Sequence, residues 1–529
     1  TGAELDALMD LFSGGTLPTS SGGDPVINPD SVPTGRNLIS IDPERTPSVE
    51  SNRLGKKLAE ELIRTRTAAG SPPRKVAFSL WGGEFIRTRG TNIAEIFALL
   101  GVEPVRDSRG RVIDVELIPE EKLGRARIDV VVQTSGQFRG IASSRMALID
   151  KAVRLAATAP SKLYPNYVAE NTIKAMERMV DGGMAPETAR TYAYARIFGG
   201  VNGNFGTGIM GMVESGDTWS DRSEIADRYI KNMGALYTTG HWGETQTEVF
   251  SAQLADTDTV IHSRSSNTSG PLSLDHVYEF MGGINLTIGQ LSGKEPEAFF
   301  NDLRSRGEGR IQSARQAVMA EARTTLLNPK YITEMLEEGP SALDTFAEAF
   351  RNTYGWEVTK ESLIDDALWE NYKEVYVDDS LNLGIREVFR EKNPYALQEM
   401  TAVMLETVRK GYWKADAAVI QEIADLHIEL AREFKPGCSN FVCNNALLKD
   451  FIMEKSSNAE AAAEYNRTIE AVRVASAAPE LESVEGMKLK KVEPLPKDLP
   501  ELLRENKTAL LICIGIMALA LFALRRRKK

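Results

Sequence analysis

The chain has 529 residues, 42% of them hydrophobic, 26% charged and 7% aromatic. That length fits several domains, and that balance excludes global disorder and fibrous or low-complexity chains. The net charge is −11 although the last five residues, Arg525 to Lys529, are all basic, so the rest is more acidic still and unsuited to nucleic acid backbones.

Residues 1–46 hold a short helix, Glu4 to Phe12, and then a Gly/Pro/Ser-rich connection. The chain opens at Thr1 in the manner of a mid-protein segment, and we expect it to be the C-terminal portion of something longer. From 47 to 165 helix and strand patterns alternate. Ser48 caps a helix to about Ala69, KVAFSL (75–80) suits a buried strand, and Asn92 to Leu100 is an amphipathic helix ended by Gly101. Val112 to Ile118 alternates, Ile128 to Thr134 reads as another buried strand, and Ser143 to Ala157 is helical. This alternation predicts an α/β layer domain with a parallel sheet, whose strand-end loops are the default ligand sites.

From 166 to 435 the spacing is mostly helical, in Val168–Val180, Pro186–Ile197, Asp221–Gly234, Thr245–Leu254, Gly309–Leu327 and Ala396–Arg409. Gly-rich loops interrupt it at 199–211 and 263–270. A segment at 436–506 carries Cys438 and Cys443 and then an Ala/Glu/Lys/Pro-rich stalk. The two cysteines read as a short-loop disulfide, as free thiols or as a weak soft-metal site. Thr508 to Leu524 is an uncharged run, just under the about 20 residues of a typical membrane span. With the basic tail behind it, 507–529 is expected to be a single transmembrane helix. The expected placement is the inner membrane, with a cytoplasmic C-terminus and an extracytoplasmic body. The fold class is then α/β: a parallel-sheet layer domain, a mainly α-helical domain, and one C-terminal transmembrane helix.

Generic chemistry motifs are scarce. GQLSGK (289–294) is one residue short of a P-loop and is followed by Glu295, so no nucleotide site is expected. Gly206, Gly208 and Gly211 match a GxGxxG spacing but follow no predicted strand. Two strand ends are more informative. SLWGGEFIRT (79–88) places Trp81, Glu84 and Arg87 at a crevice position, and QTSGQFR (133–139) does the same for Gln137 and Arg139. A shared site is one reading; a pair of ordinary turns is the other. DHVYE (275–279) puts Asp275 and Glu279 on one helical face, with His276 and Tyr278 beside them and His262 upstream. A like-charged pair needs a cation or a proton between its members, whereas an acidic helix start is the bland alternative.

The motifs NPDSVPTGRN (28–37), SLWGG (79–83), LLGVEPV (99–105), SGQFR (135–139) and NPKY (328–331), taken in this order, resemble the large-subunit family of CobN-type cobaltochelatase and magnesium chelatase. The resemblance implies a tetrapyrrole substrate, insertion of Co²⁺ or Mg²⁺, and separate ATPase partner subunits. Carried over by position, Glu84, Arg139, Asp275 and Glu279 match family positions, while Gln316 stands where the magnesium branch carries Glu. The expected roles are catalysis by Glu84, Asp275, His276 and Glu279, metal contact by Glu84, His262, Asp275 and Glu279, and macrocycle binding by Trp81, Arg87, Gln137, Arg139 and Tyr278. Arg87 and Arg139 suit propionates. Trp81, Trp219, Trp242 and Phe138 suit ring stacking, although large aromatics are more often core.

An anchored, exported member with a Gly-Cys-x4-Cys element most resembles the haem-uptake branch of HmuS type, with archaeal anchored cobaltochelatase-like proteins as competing relatives. That branch implies removal of iron from haem, with haem-transport proteins as partners. ATP-dependent cobalt or magnesium insertion, as in cobalamin biosynthesis, is the alternative, and a non-catalytic tetrapyrrole carrier is the second.

Overall fold

The structure is a computed structural model and describes residues 2–21, 31–38, 41–305 and 307–476. Its centre is an 8-stranded sheet. In chain order the strands are β1 (Lys75–Leu80), β2 (Asp129–Thr134), β3 (Ile197–Gly199), β4 (Ala235–Thr238), β5 (His241–Thr245), β6 (Thr259–Arg264), β7 (Glu297–Asp302) and β8 (Arg310–Ser313). Across the sheet they run β8-β7-β6-β1-β2-β3-β4-β5. The five from β7 to β3 are mutually parallel. Antiparallel β8 closes one edge and the β4–β5 hairpin the other.

Strands β1, β2 and β6 are buried along their whole length, as expected when helices cover both faces of a parallel sheet. Side chains alternate between two cores. Val76, Phe78, Val130 and Val132 pack towards α1 (Val49–Ala68), α2 (Gly82–Thr88), α3 (Thr91–Leu100) and α4 (Gly136–Ala157). Ala77, Val131 and Val260 pack into the larger core, which the helices beyond residue 166 build. Val102–Arg106 and Val112–Leu117 form a separate antiparallel ribbon. Cys438 and Cys443 are joined as a disulfide between the helices Ala417–Phe434 and Ala446–Lys455.

The expected fold class is corrected on two points. A layer domain is not followed by a helical one: every strand of the main sheet except β1 and β2 comes from beyond residue 166, and the residues up to Ser476 pack as one unit. The membrane expectation is corrected as well. No helix among the described residues is long and apolar enough to cross a membrane. The run at 508–524, on which the single-pass inner-membrane placement rested, lies outside the described residues, as do the basic tail and the stalk from 477 on.

The chain leaves β1 for β2 on one side and returns later to lay β6 on the other. The carboxyl ends of β1 and β6 therefore flank a topological switch point, where open α/β sheets bind ligands.

Two buried titratable groups set opposite pH limits. Glu95 on α3 is fully buried; burial pushes its carboxyl up to about 8, against a hydrogen bond from Asn301 Nδ2 at 2.5 Å. The unfolded chain ionises Glu95 near 4.5, so stability falls as pH rises between those values. Glu95→Gln is expected to stabilise the protein by about 2 kcal/mol at pH 7.5 and not at pH 4, measured by denaturant unfolding at both. His427 sits between Thr401 Oγ1 at 2.9 Å and Tyr465 OH at 3.3 Å, and burial pushes it down from 6.5 to about 4. Its contribution is intact above pH 6.5 and is lost below, by roughly 2 kcal/mol at pH 5. His427→Gln should flatten that part of the unfolding profile.

Candidate functional site

A cavity of about 440 Å³ opens at the switch point, a volume usual for small-molecule sites. Its walls come from segments far apart in sequence. Trp81, Gly83, Glu84 and Arg87 follow β1, Ser135 and Gln137 follow β2, Phe205 and Gly206 sit in the Gly-rich loop after β3, and His262 and Arg264 end β6. His276 and Phe280 come from the helical turns at Asp275–Gly282, and Phe300 from β7.

The loops after β1 and β2 meet directly. A Cβ on Gly82 would stand 2.7 Å from the Gln137 side chain, so glycine is what permits the approach. Register explains the next contact. His262 pairs with Ser79 on β1, which brings its ring to 4.5 Å from Trp81, edge to face. Phe280 packs on the same indole at 5.7 Å. The result is an aromatic wall set with a few polar groups.

Those polar groups differ in how well they are satisfied. Arg87 Nη2 donates to Glu84 Oε1 at 2.5 Å and its Nε to Ser265 Oγ at 2.8 Å. Glu84 is 8% exposed, and its Oε2 is buried without a hydrogen-bond partner. His262 is 2% exposed, and its Nδ1 is likewise buried and unpartnered. Burial pushes this imidazole down to about 4, against a hydrogen bond with the Ser79 backbone, so it is neutral at pH 7 and keeps a lone pair. Glu84 and His262 thus line one largely apolar cavity, each with one buried polar atom that has no hydrogen-bond partner in the protein.

Glu279 works differently. Its Oε1 accepts from Thr207 N at 2.6 Å, Thr207 Oγ1 at 2.7 Å and Gly208 N at 3.2 Å, and its Oε2 lies 2.8 Å from His276 Nδ1. Burial pushes the carboxyl up, but the hydrogen bonds from His276 and Thr207 outweigh it and hold it below the usual range. The amides of the Gly-rich loop, which in a nucleotide site would face a phosphate, here face the protein's own carboxylate.

The CobN/Magnesium Chelatase family model matches residues 1–420. The chain belongs to the CobN/magnesium chelatase family. It is 30% identical over 432 residues to the magnesium-chelatase H-subunit of Chlorobaculum parvum, covering 81% of this chain and 33% of that one. It is 30% identical over 435 residues to the aerobic cobaltochelatase subunit CobN of Pseudomonas aeruginosa, covering 82% and 34%. Among solved structures, the catalytic subunit of cobaltochelatase from Mycobacterium tuberculosis matches with a TM-score of 0.75 at 28% identity, over 82% of this chain and 36% of that one. The chain spans about a third of the length of the curated relatives it matches.

Of the residues singled out in the sequence, Trp81, Glu84, Arg87, Gln137, His262 and His276 line the cavity of this CobN/magnesium chelatase chain. Others do not. Arg139 donates to Thr134 O at 2.9 Å and lies over the Tyr237 ring at 4.9 Å, so its guanidinium is spent inside the fold. Tyr278 is buried against Gly355, and Glu279 stands behind His276. Asp275 opens the short helix Asp275–Val277; its side chain is not among those described. Phe138 and Trp219 are core, while Trp242 is exposed on β5. No group of three His, Cys, Asp or Glu able to hold a metal occurs among the described residues. Sequence reasoning missed Phe205, Phe280, Phe300 and Arg264. The one usable signal was an aromatic residue set among glycines at 205.

Proposed function

We propose that this chain forms the macrocycle-holding, metal-exchanging part of a tetrapyrrole chelatase large subunit, inserting cobalt or magnesium together with separate ATPase subunits. The observation that carries this reading is that Glu84 and His262, each with a buried polar atom that has no hydrogen-bond partner (Oε2 and Nδ1), line one aromatic-walled cavity. Insertion replaces both inner N–H protons of the ring by a divalent ion. A carboxylate oxygen and a neutral imidazole nitrogen can take one proton each. The same atoms can present the incoming ion, as oxygen and imidazole ligands suit Mg²⁺ and Co²⁺. A resident cage of protein ligands is not needed, because the four pyrrole nitrogens supply the equatorial ligands.

Trp81 and Phe280 offer flat apolar surface for the ring, and Arg87 adds a cation beside it. The relatives named above support insertion: they carry the names of cobalt and magnesium chelatases, and the haem-removal branch rested on the membrane anchor. Titrating the purified chain with deuteroporphyrin IX tests binding through porphyrin fluorescence. Adding Co²⁺ or Mg²⁺ with the ATPase subunits and ATP should then produce the metalloporphyrin spectrum. A folded chain that leaves porphyrin fluorescence unchanged at micromolar concentrations would refute the proposal.

A further inference from the structure

Arg264 ends β6 inside the cavity and is only 9% exposed. Its polar partners are few and distant. Nε donates to Ser269 O at 3.3 Å, and Nη2 lies 3.9 Å from Glu321 Oε2. Glu321 is itself committed, accepting from Leu272 N at 3.1 Å and from Ser273 Oγ at 2.6 Å. Asp302, the cross-strand neighbour of Arg264 on β7, is taken by Arg304 at 2.8 Å and Arg310 at 2.9 Å. Three guanidinium groups therefore share two carboxylates. Arg87, also in the cavity wall, has by contrast close partners in Glu84 at 2.5 Å and Ser265 at 2.8 Å.

A buried cation with so little compensation is costly unless an anion completes it. The loop after β6 lies close over the guanidinium: a Cβ on Gly270 would stand 2.6 Å from Arg264 Nη2, an approach that residue 270 permits by having no side chain. An arginine fork at the edge of an aromatic-walled cavity matches the planar, bidentate geometry of a carboxylate.

We propose that Arg264 is the positioning residue that ties one peripheral carboxylate of the macrocycle at the end of β6. The inference rests on the chelatase reading and adds to it what orients the ring. One acidic substituent is tied at the end of β6, so the ring lies across Trp81 with its centre towards Glu84 and His262. Esterified or otherwise neutral macrocycles lose this tie.

The test compares deuteroporphyrin IX with its dimethyl ester, both in the same dilute non-ionic detergent, by quenching of the protein's tryptophan fluorescence. The wild-type chain should bind the acid at least tenfold more tightly than the ester. Arg264→Gln should weaken the acid at least tenfold and leave the ester within twofold, with circular dichroism confirming the fold. Arg264→Lys keeps the charge without the fork and should fall between. If Arg264→Gln does not fold, the wild-type preference and the lysine variant decide. Equal affinity for acid and ester in the wild type, or an unchanged preference in Arg264→Gln, overturns the inference and leaves the chelatase reading standing. Binding of neither probe overturns both.

Discussion

Replacing His262 with alanine is expected to slow metal insertion by about 10²- to 10⁴-fold, the range for loss of a positioned proton acceptor. Porphyrin affinity should change by no more than about threefold, because the loss falls on the reacting step and not on uniform binding. The ring is fixed by edge contacts to Trp81 at 4.5 Å and Phe300 at 6.0 Å, and its register against Ser79 holds it at the cavity floor. Because burial pushes its pKa down to about 4, the imidazole is neutral throughout the physiological range, and as a weak base it holds a proton only in passing. The wild-type rate should accordingly show no acid limb near pH 6.5 from this residue. Single-turnover formation of the metalloporphyrin, followed by absorbance, gives the rate, and His262→Gln controls for the lost volume. An alanine variant that inserts metal at the wild-type rate would remove His262 from the mechanism.

Replacing Glu279 with alanine is expected to cost about 3–5 kcal/mol of stability, the range for removing one partner of a buried charged network. Thr207 N, Thr207 Oγ1 and Gly208 N would all lose their acceptor together, and an unsatisfied buried donor costs about 1–3 kcal/mol. Glu279→Gln keeps an acceptor oxygen and should cost roughly 1–2 kcal/mol. Urea unfolding measures the difference. Amide exchange at Thr207 and Gly208 localises it: those amides should lose protection in Glu279→Ala and keep it in His276→Ala. A loss below about 0.5 kcal/mol, the size of an ordinary surface change, would mean that the Gly-rich loop is held by something else.

The early part of the fold was readable because its signals are local. KVAFSL carries apolar residues on both faces, as a strand covered on both sides must, and β1 spans the same residues, Lys75–Leu80. Ser48 caps α1 through a hydrogen bond from Ser51 N, and Gly101 ends α3 in the left-handed conformation. The later strands were hidden by their chemistry. TVIHSR, which forms β6, has three polar residues at its end because that end is the site. EAFFND, which forms β7, carries acid at both ends. Pro186–Ile197 and Gly309–Leu327 look helical throughout, yet each holds a strand at one end, Ile197–Gly199 and Arg310–Ser313. Tertiary pairing overrides short-range propensity in such short elements.

The site was legible to the same degree. Trp81, Glu84, Arg87 and Gln137 follow strands visible in the sequence, and the cavity gathers them with His262 and His276. Arg139 has the same sequence context as Gln137 but turns back onto Thr134, a difference of side-chain direction on one helical turn that spacing alone does not reveal. Arg264 was unreadable because its strand was unread.

The placement of β6 beside β1 has a consequence for biogenesis. A strand from the first quarter of the chain waits for a partner made about halfway along it, and such non-local pairing makes for slow folding. While the ribosome is still adding the intervening segment, β1 presents an open parallel edge, a liability for misassociation. The cavity is thus completed only once the nascent polypeptide has passed β7, which supplies Phe300 to its wall.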